Sequence, residues 1–174
     1  MTSNNETKSN IGIYIYKEAE VLDFAGPFEV FSTANRISSH YQFNPVLIAE
    51  NEDMVLARGG FKVLPCYTIK NHPPLEVLMI VGGDHHIDIL NQTVIQWLQQ
   101  QSDKVAWITS ICTGIFFLAE AAIVKHQSVT THFEDIPQLQ AQYQDLSVLS
   151  NNRILFHRES VYNLLRFQLQ LDKY

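Results

Sequence analysis

The sequence has only two cysteines, Cys66 and Cys112, so one disulfide at most is available. Its first ten residues, MTSNNETKSN, are polar and hold no apolar signal-peptide core. No apolar run reaches membrane length. The expectation is a cytoplasmic, reducing setting with two free thiols and no membrane partner. Basic residues are also few. Twelve Lys and Arg against eighteen Asp and Glu give a net charge of −6, and they form no stripe, so no nucleic-acid partner is expected of the chain itself. Neither G-x-G-x-x-G nor G-K-[ST] is present, which excludes the familiar phosphate-binding loops. There is no internal repeat, linker or low-complexity segment. What remains is 46% hydrophobic and 17% charged, a composition that folds, and 174 residues fit one domain with a good-sized core.

The apolar pattern alternates between strand-like and helix-like stretches. IGIYIY (11–16), VLIA (46–49), VLMIV (77–81) and the run from Val105 to Ile111 read as buried strands. Phe28, Phe31, Ala34 and Ile37 form a helical face behind Pro27, which suits a first helical position. A second helix is expected from about Ile87 to Gln100, with Leu90, Val94, Ile95 and Leu98 on one face. Gly59-Gly60 separates two short strands of a hairpin or edge excursion. A polar helix is expected around Ile136 to Tyr143. Ser150–Arg153 reads as a hairpin turn between 146–149 and 154–156, and Val161, Leu164, Leu165 and Leu169 stand at helical spacing. The alternation points to an α/β sandwich around a mainly parallel sheet, with residues 1–10 a disordered tail and 11–174 a single domain.

WITSICTGIFFLAEA (107–121) is the organising stretch. An apolar strand meets Cys112-Thr113-Gly114 and continues with Ile115, Leu118, Ala119 and Ala122 at helical spacing. A strand turning into a helix at one small reactive residue is a nucleophile elbow. Unpaired N–H groups at the helix start favour thiolate over thiol. In parallel sheets reactive residues gather beyond the carboxyl ends of strands, where three features fall: Asp23, Gly82-Gly83 and Cys112. Asp23 reads either as a helix-dipole partner or as a general acid/base facing the thiol, with Glu29 as the competing carboxylate. N–H groups at Gly82 and Gly83, with that of Thr113, are candidates for an oxyanion hole. His132 is a base or ion-pair partner for Cys112, or a structural histidine; Thr113 binds substrate or caps the helix. His85 and His86, beside Asp84 and Asp88, match no established metal-ligand spacing, so no metal is assigned.

The segments VLDFAGPFEVF (21–31), ARGGFKVLP (57–65), VLMIVGG (77–83), SICTGIFFLAEA (110–121) and TTHFEDIPQL (130–139) together resemble the ThiJ/PfpI superfamily, in family order. The resemblance implies the flavodoxin-like three-layer sandwich shared by class I glutamine amidotransferases, and a homodimer. An Asp in the first loop with Cys-Thr-Gly at the elbow looks most like the isonitrile hydratase branch, which adds water to an isocyanide to give an N-substituted formamide. On that resemblance Cys112 is the nucleophile, Asp23 moves protons, Thr113 helps hold a small-molecule substrate or water, and Gly83 and Thr113 N–H groups face the developing charge, with no metal or organic cofactor. His132 matches the histidine of the TTH segment near the nucleophile in the parkinsonism-associated branch. The same motifs occur in sensory domains of AraC-type regulators, so an oxidant- or ligand-sensing module is the alternative.

Two departures stand out. The glycine turn continues as Asp84-His85-His86, where the family often has another glycine. After NNRIL the family's Thr-Ser-Ala-Gly segment and long closing helix are absent; FHRESVYNLLRFQLQLDKY stands there instead, so the part after about residue 157 reads as diverged or truncated.

Overall fold

A computed structural model describes residues 8–37, 42–86, 88–152, 154–156 and 161–164. The elements run β1 (Ser9–Tyr14), α1 (Val21–Ile37), β2 (Phe43–Ala49), β3 (Val55–Ala57), β4 (Phe61–Val63), β5 (Tyr67–Thr68), β6 (Val77–Ile80), α2 (Gln92–Ser102) and β7 (Trp107–Ile111). They continue with α3 (Ile115–Glu120), β8 (Ser128–Val129), α4 (Ile136–Gln142), β9 (Ser147–Val148), β10 (Ile154–Phe156) and β11 (Val161–Leu164). The main sheet has the order β10-β11-β7-β6-β1-β2-β5, and every pairing in it is parallel except β10 with β11. Its inner five strands, β2-β1-β6-β7-β11, follow the 2-1-3-4-5 order of the flavodoxin-like fold. The chain leaves β1 in one direction toward β2 and returns on its other side through β6 and β7. Right-handed crossovers in opposite directions put α1 on one face and α2 and α3 on the other, giving three layers.

The central strands are apolar on both faces because both are covered. Ile11, Ile13 and Tyr14 of β1, Leu78 and Ile80 of β6, and Ile108 of β7 are all essentially inaccessible. Tyr14 ties the β1 face to α2 and α3, its ring 5.4 Å from that of Trp97 and 6.1 Å from that of Phe117. Pro45 lies inside β2, opposite Ile11 of β1, but β5 pairs only with Ile48 and Ala49, so the missing N–H falls where no ladder bond is needed. β3 and β4 form the antiparallel hairpin expected around Gly59-Gly60, whose φ angles are +69° and +79°.

Several boundaries move. β1 begins at Ser9, inside the stretch read as a disordered tail; residues 1–7 lie outside the described residues. α1 begins at Val21, so Pro27 lies within the helix and not at its first position. Phe24 and Asp23 are buried in the first turn and anchor it ahead of the proline, which has no N–H to donate back along the helix. Ile37 of the expected apolar face is 81% exposed. α2 starts only at Gln92, because the Asn91 side chain accepts from the N–H groups of Thr93 and Val94 and fixes the cap there.

The largest correction is at the end. Ser150–Arg153 does not join a hairpin: β9 pairs in parallel with β8, and β10 pairs with β11. The stretch 161–164, whose spacing suggested a helix, is a strand in parallel register with β7, Val161 opposite Ile108 and Leu164 opposite Ile111. The open edge of β7 carries unpaired backbone groups that a strand satisfies and a helix does not, so pairing overrides periodicity. Residues 165–174, which complete that periodic stretch, lie outside the described residues. Among the described residues no helix is long and apolar enough to cross a membrane.

Asp88 opens the turn before α2 and lines a cleft with Tyr14, Tyr16 and Glu50. Burial first, then the charges of Glu50 and Asp84, push its carboxyl up to about 6. The folded state therefore holds this proton more tightly than the unfolded chain, so this group's destabilisation of the fold builds as pH rises from about 4 and is complete above about pH 6. Asp88→Asn is expected to stabilise the protein by about 1–2 kcal/mol near pH 8, after allowance for solvent screening, and to give no gain near pH 4. Thermal melts of both proteins across that range check this.

Candidate active site

β7 ends at Ile111, and Cys112 follows in the left-handed region with φ +53°. That conformation costs a non-glycine residue about 1–3 kcal/mol, and it turns the chain sharply. Cys112–Gly114 form a single 3-10 turn that runs directly into α3. Gly114 is required here: a Cβ on it would stand against the carbonyl oxygen of Ile80, in the neighbouring strand. Residues Ile115 to Ala119 are all buried, so the helix behind the turn is fixed by its packing. α3 is shorter than the sequence suggests, ending at Glu120. The field at the sulfur therefore comes from the N–H groups of the first turn and little from helix length.

β6 supplies the floor. The N–H of Gly82 donates to Asp23 Oδ2 at 3.1 Å. A Cβ on Gly82 would lie 2.6 Å from that same oxygen and 2.6 Å from Cys112 Cβ, so carboxylate and cysteine flank one bare Cα. Gly83, at φ +150°, pairs across a single bridge with Ala19, and a Cβ there would strike the Glu18 carbonyl. Its N–H donates to Thr113 Oγ1, and that hydroxyl donates back to the Gly83 carbonyl, both at 2.9 Å. Thr131 Oγ1 donates to the Cys112 carbonyl at 3.2 Å and hangs the following loop on the elbow.

These pieces line a half-open cavity of about 430 Å³. Cys112 and Thr113 lie on its wall with His85, His132, Arg58 and Glu134 among others. Cys112 is 7% exposed, whereas Cys66 is exposed on the surface. His132 Nε2 stands 3.3 Å from Glu134 Oε2, an ion pair when the ring is protonated. Arg58 Nη1 donates to Glu20 Oε1 at 2.9 Å. Tyr16, the last aromatic of the first apolar run, is buried nearby, and burial raises its hydroxyl well above the ordinary tyrosine range.

All six residues singled out from sequence converge. Cys112, Thr113, His132 and Gly83 line the cavity, while Asp23 and Gly82 do not line it and lie beside Cys112. The competing carboxylate does not join them: Glu29 is exposed on the far side of α1, accepting from Thr33 Oγ1 at 2.7 Å. One expectation changes. The N–H groups of Gly82 and Gly83 are both engaged inside the protein, by the Asp23 carboxylate and the Thr113 hydroxyl, and do not project as oxyanion donors. The Thr113 hydroxyl is likewise committed to the Gly83 carbonyl. Sequence reasoning missed Arg58, His85 as a buried wall residue, and Thr131. Arg58 and Thr131 fall inside the ARGGFKVLP and TTHFEDIPQL segments, which carried the resemblance without giving either residue a role. Among the described residues no three His, Cys, Asp or Glu side chains are grouped to hold a metal ion.

A doubly wound sheet with a cysteine at a strand-to-helix elbow defines a class of α/β proteins. The chain belongs to the DJ-1/PfpI family, whose profile matches residues 9–171. Isonitrile hydratase from Pseudomonas putida is 23% identical over 124 residues, which cover 71% of this chain and 52% of that protein. The HTH-type transcriptional regulator CdhR of Pseudomonas aeruginosa is 28% identical over 128 residues, 74% of this chain and 38% of the regulator. The chain thus spans about half the length, or less, of these relatives. A crystal structure of a ThiJ/PfpI family protein from Pseudomonas syringae superimposes with a TM-score of 0.77 at 21% identity, covering 92% of this chain and 63% of that one, a likeness of fold.

The glycines give a direct test of the site geometry. Gly114→Ala is expected to cost roughly 3 kcal/mol or more, because its methyl group meets backbone that cannot yield. Gly26→Ala, inside α1 with nothing within 4 Å of its Cβ position, is expected to stabilise by about 0.5–1 kcal/mol. Denaturant unfolding of both variants checks the contrast.

Proposed function

We propose that this chain is a cysteine-dependent hydratase acting on a small molecule, with isocyanide hydration as its reaction. The observation that carries the reading is Cys112, held at φ +53° on the wall of a cavity at the switch point of the sheet. A backbone strain of that kind persists where the surrounding structure enforces it, and reactive residues are where it concentrates. The 23% identity to isonitrile hydratase supports the choice of reaction.

In this reading the Cys112 thiolate adds to the terminal carbon of R–N≡C and forms a C–S bond. The electron pair left on that carbon takes a proton, giving a thioformimidate, R–N=CH–S. Asp23 is assigned the proton transfer, because its Oδ2 and Cys112 Cβ flank the same glycine. Water then adds across the C=N bond, its hydroxyl to carbon and its proton to nitrogen; as the C–S bond breaks the hydroxyl proton returns to Asp23, and R–NH–CHO leaves with the thiolate and the acid both restored. The Thr113 N–H is the donor left in the expected set for the charge that develops. His132 is assigned to orient water or balance the thiolate, since it lines the same wall. A homodimer in the cytoplasm completes the proposal.

The second reading is a ligand- or oxidant-sensing domain without turnover. Similarity to the regulator CdhR over 74% of the chain favours it, as does the internal engagement of the Gly82 and Gly83 N–H groups.

Formamide production from an alkyl isocyanide distinguishes the two. The expected result is turnover that falls by about 10³-fold or more in Cys112→Ala and by about 10²-fold in Asp23→Asn. A cooperatively folded protein with no turnover decides for the sensor. Alkylation rates followed by mass spectrometry address the elbow itself: Cys112 is expected to react well below about pH 8.5, where an ordinary thiol titrates, and Cys66 is not.

A further inference from the structure

The connection from β5 to β6, residues 69–76, is fastened to its neighbours by side chains. Asn71 Oδ1 accepts from the N–H and the hydroxyl of Thr68, at 2.7 and 3.1 Å. Asn10 Nδ2, on β1, donates to the Pro74 carbonyl at 2.8 Å. Leu75 is buried against β1 because Gly12 has no side chain; a Cβ there would lie 2.6 Å from Leu75 Cδ1. The remaining tie reaches α2. Trp97 Nε1 donates to His72 Nε2 at 2.9 Å, and His72 Nδ1 stands 2.8 Å from the Pro73 carbonyl oxygen.

Those two contacts fix the state of the ring. An indole N–H only donates, so Nε2 is the acceptor; a carbonyl oxygen only accepts, so Nδ1 carries the hydrogen. His72 is therefore a neutral Nδ1–H imidazole whose ring lone pair is given to Trp97. The two rings meet edge-on with centroids 5.6 Å apart, Trp97 buried and His72 half-buried. A proton added to this imidazole enters at Nε2 and turns the acceptor into a donor aimed at a donor. The elements packed around the pair carry little charge. α2 has no ionisable side chain from Gln92 to Ser102, and Asp103 and Lys104 follow beyond its end. The connection itself has Lys70 and Glu76, both exposed, and β5 has Tyr67. β1 has Tyr14, its ring 5.4 Å from that of Trp97, with Asp88 and Glu50 bearing on the Tyr14 hydroxyl.

We propose that His72 and Trp97 form a proton-gated latch, closed while the imidazole is neutral and opened when Nε2 takes a proton. Opening releases the connection from α2 at that point, while Asn10 and Leu75 keep it on β1. α2 itself stays seated, because Val94, Ile95 and Leu98 are buried without help from the latch. The helix thus keeps its packing, and the segment beside it gains freedom in acid. Neither His72 nor Trp97 lines the Cys112 cavity, so the latch is independent of the chemistry proposed there.

Nitrogen-15 NMR of the intact, labelled chain tests this. The sequence has two tryptophans, so two indole N–H signals are expected, and Trp107→Phe assigns the one from Trp97. His72→Gln assigns the His72 ring by removing its signals. Near about pH 8 that ring is expected to show a protonated Nδ1 and an unprotonated Nε2. Lowering the pH to about 5 crosses the range in which imidazoles ordinarily titrate. Over it the Trp97 indole signal is expected to follow the His72 ring through a one-proton transition, and its exchange with water to speed up by about tenfold or more. The backbone amides of Val94, Ile95 and Leu98 are expected to keep their protection. In His72→Gln, whose side-chain carbonyl accepts the same bond but does not titrate, the Trp97 transition is expected to vanish. A Trp97 signal that stays flat while His72 titrates, or that still titrates in His72→Gln, overturns the latch. So does a ring that stays neutral until the whole protein unfolds, or one protonated at Nε2 near about pH 8.

Discussion

The site depends on one bare Cα. At Gly82 the end of β6 passes between the Asp23 carboxylate and Cys112, each 2.6 Å from where a side chain would begin. Nothing larger than hydrogen fits, and the N–H of the same residue holds Asp23 Oδ2. Carboxylate and thiol are thus brought together by the absence of a side chain between them. The next residue works the other way. Gly83 is clasped on both its polar groups by Thr113, so the end of β6 and the first turn after β7 form one rigid unit. A carboxylate in this setting has little freedom to move.

The fold explains why these loops meet. β1 and β6 are neighbours in the sheet although four strands and a helix separate them in sequence, and the chain runs away from them in opposite directions. Their carboxyl ends leave a crevice that no crossover covers. Asp23 comes from the first turn of α1, which follows β1, Gly82 and Gly83 from the end of β6, and Cys112 from the end of β7. The large apolar side chains of those strands sit deeper, and at the strand ends themselves it is Gly83, Cys112 and Thr113 that reach the crevice.

Much of this was legible because local rules and the global fold agree. VLMIV and the run to Ile111 have the length and composition of buried strands, and Gly-Gly or Cys-Thr-Gly at their ends marks where each one stops. The convergence of Asp23, Gly82 and Cys112 follows from strand ends alone. What could not be read were interactions between segments. The choice between Asp23 and Glu29 turns on which side of α1 faces the sheet, and the first-turn burial of Asp23 is a tertiary fact. The engagement of the two glycine N–H groups depends on side chains reaching across from α1 and the elbow. His85 in a polar string such as Gly-Gly-Asp-His-His looks like a surface residue, yet stacking on Phe116 buries it. Val161 to Leu164 carry a helical spacing that is irrelevant once β7 offers an edge.

That last pairing has a consequence for how the protein is made. The elbow strand is flanked by β6, which precedes it, and by β11, which lies about fifty residues downstream. During synthesis β7 leaves the ribosome long before β11 exists. Until then Cys112 stands at the end of a strand with one side unpaired, and the exposed edge is open to other chains. The strand that carries Cys112 is therefore completed late, by a segment about fifty residues downstream of it.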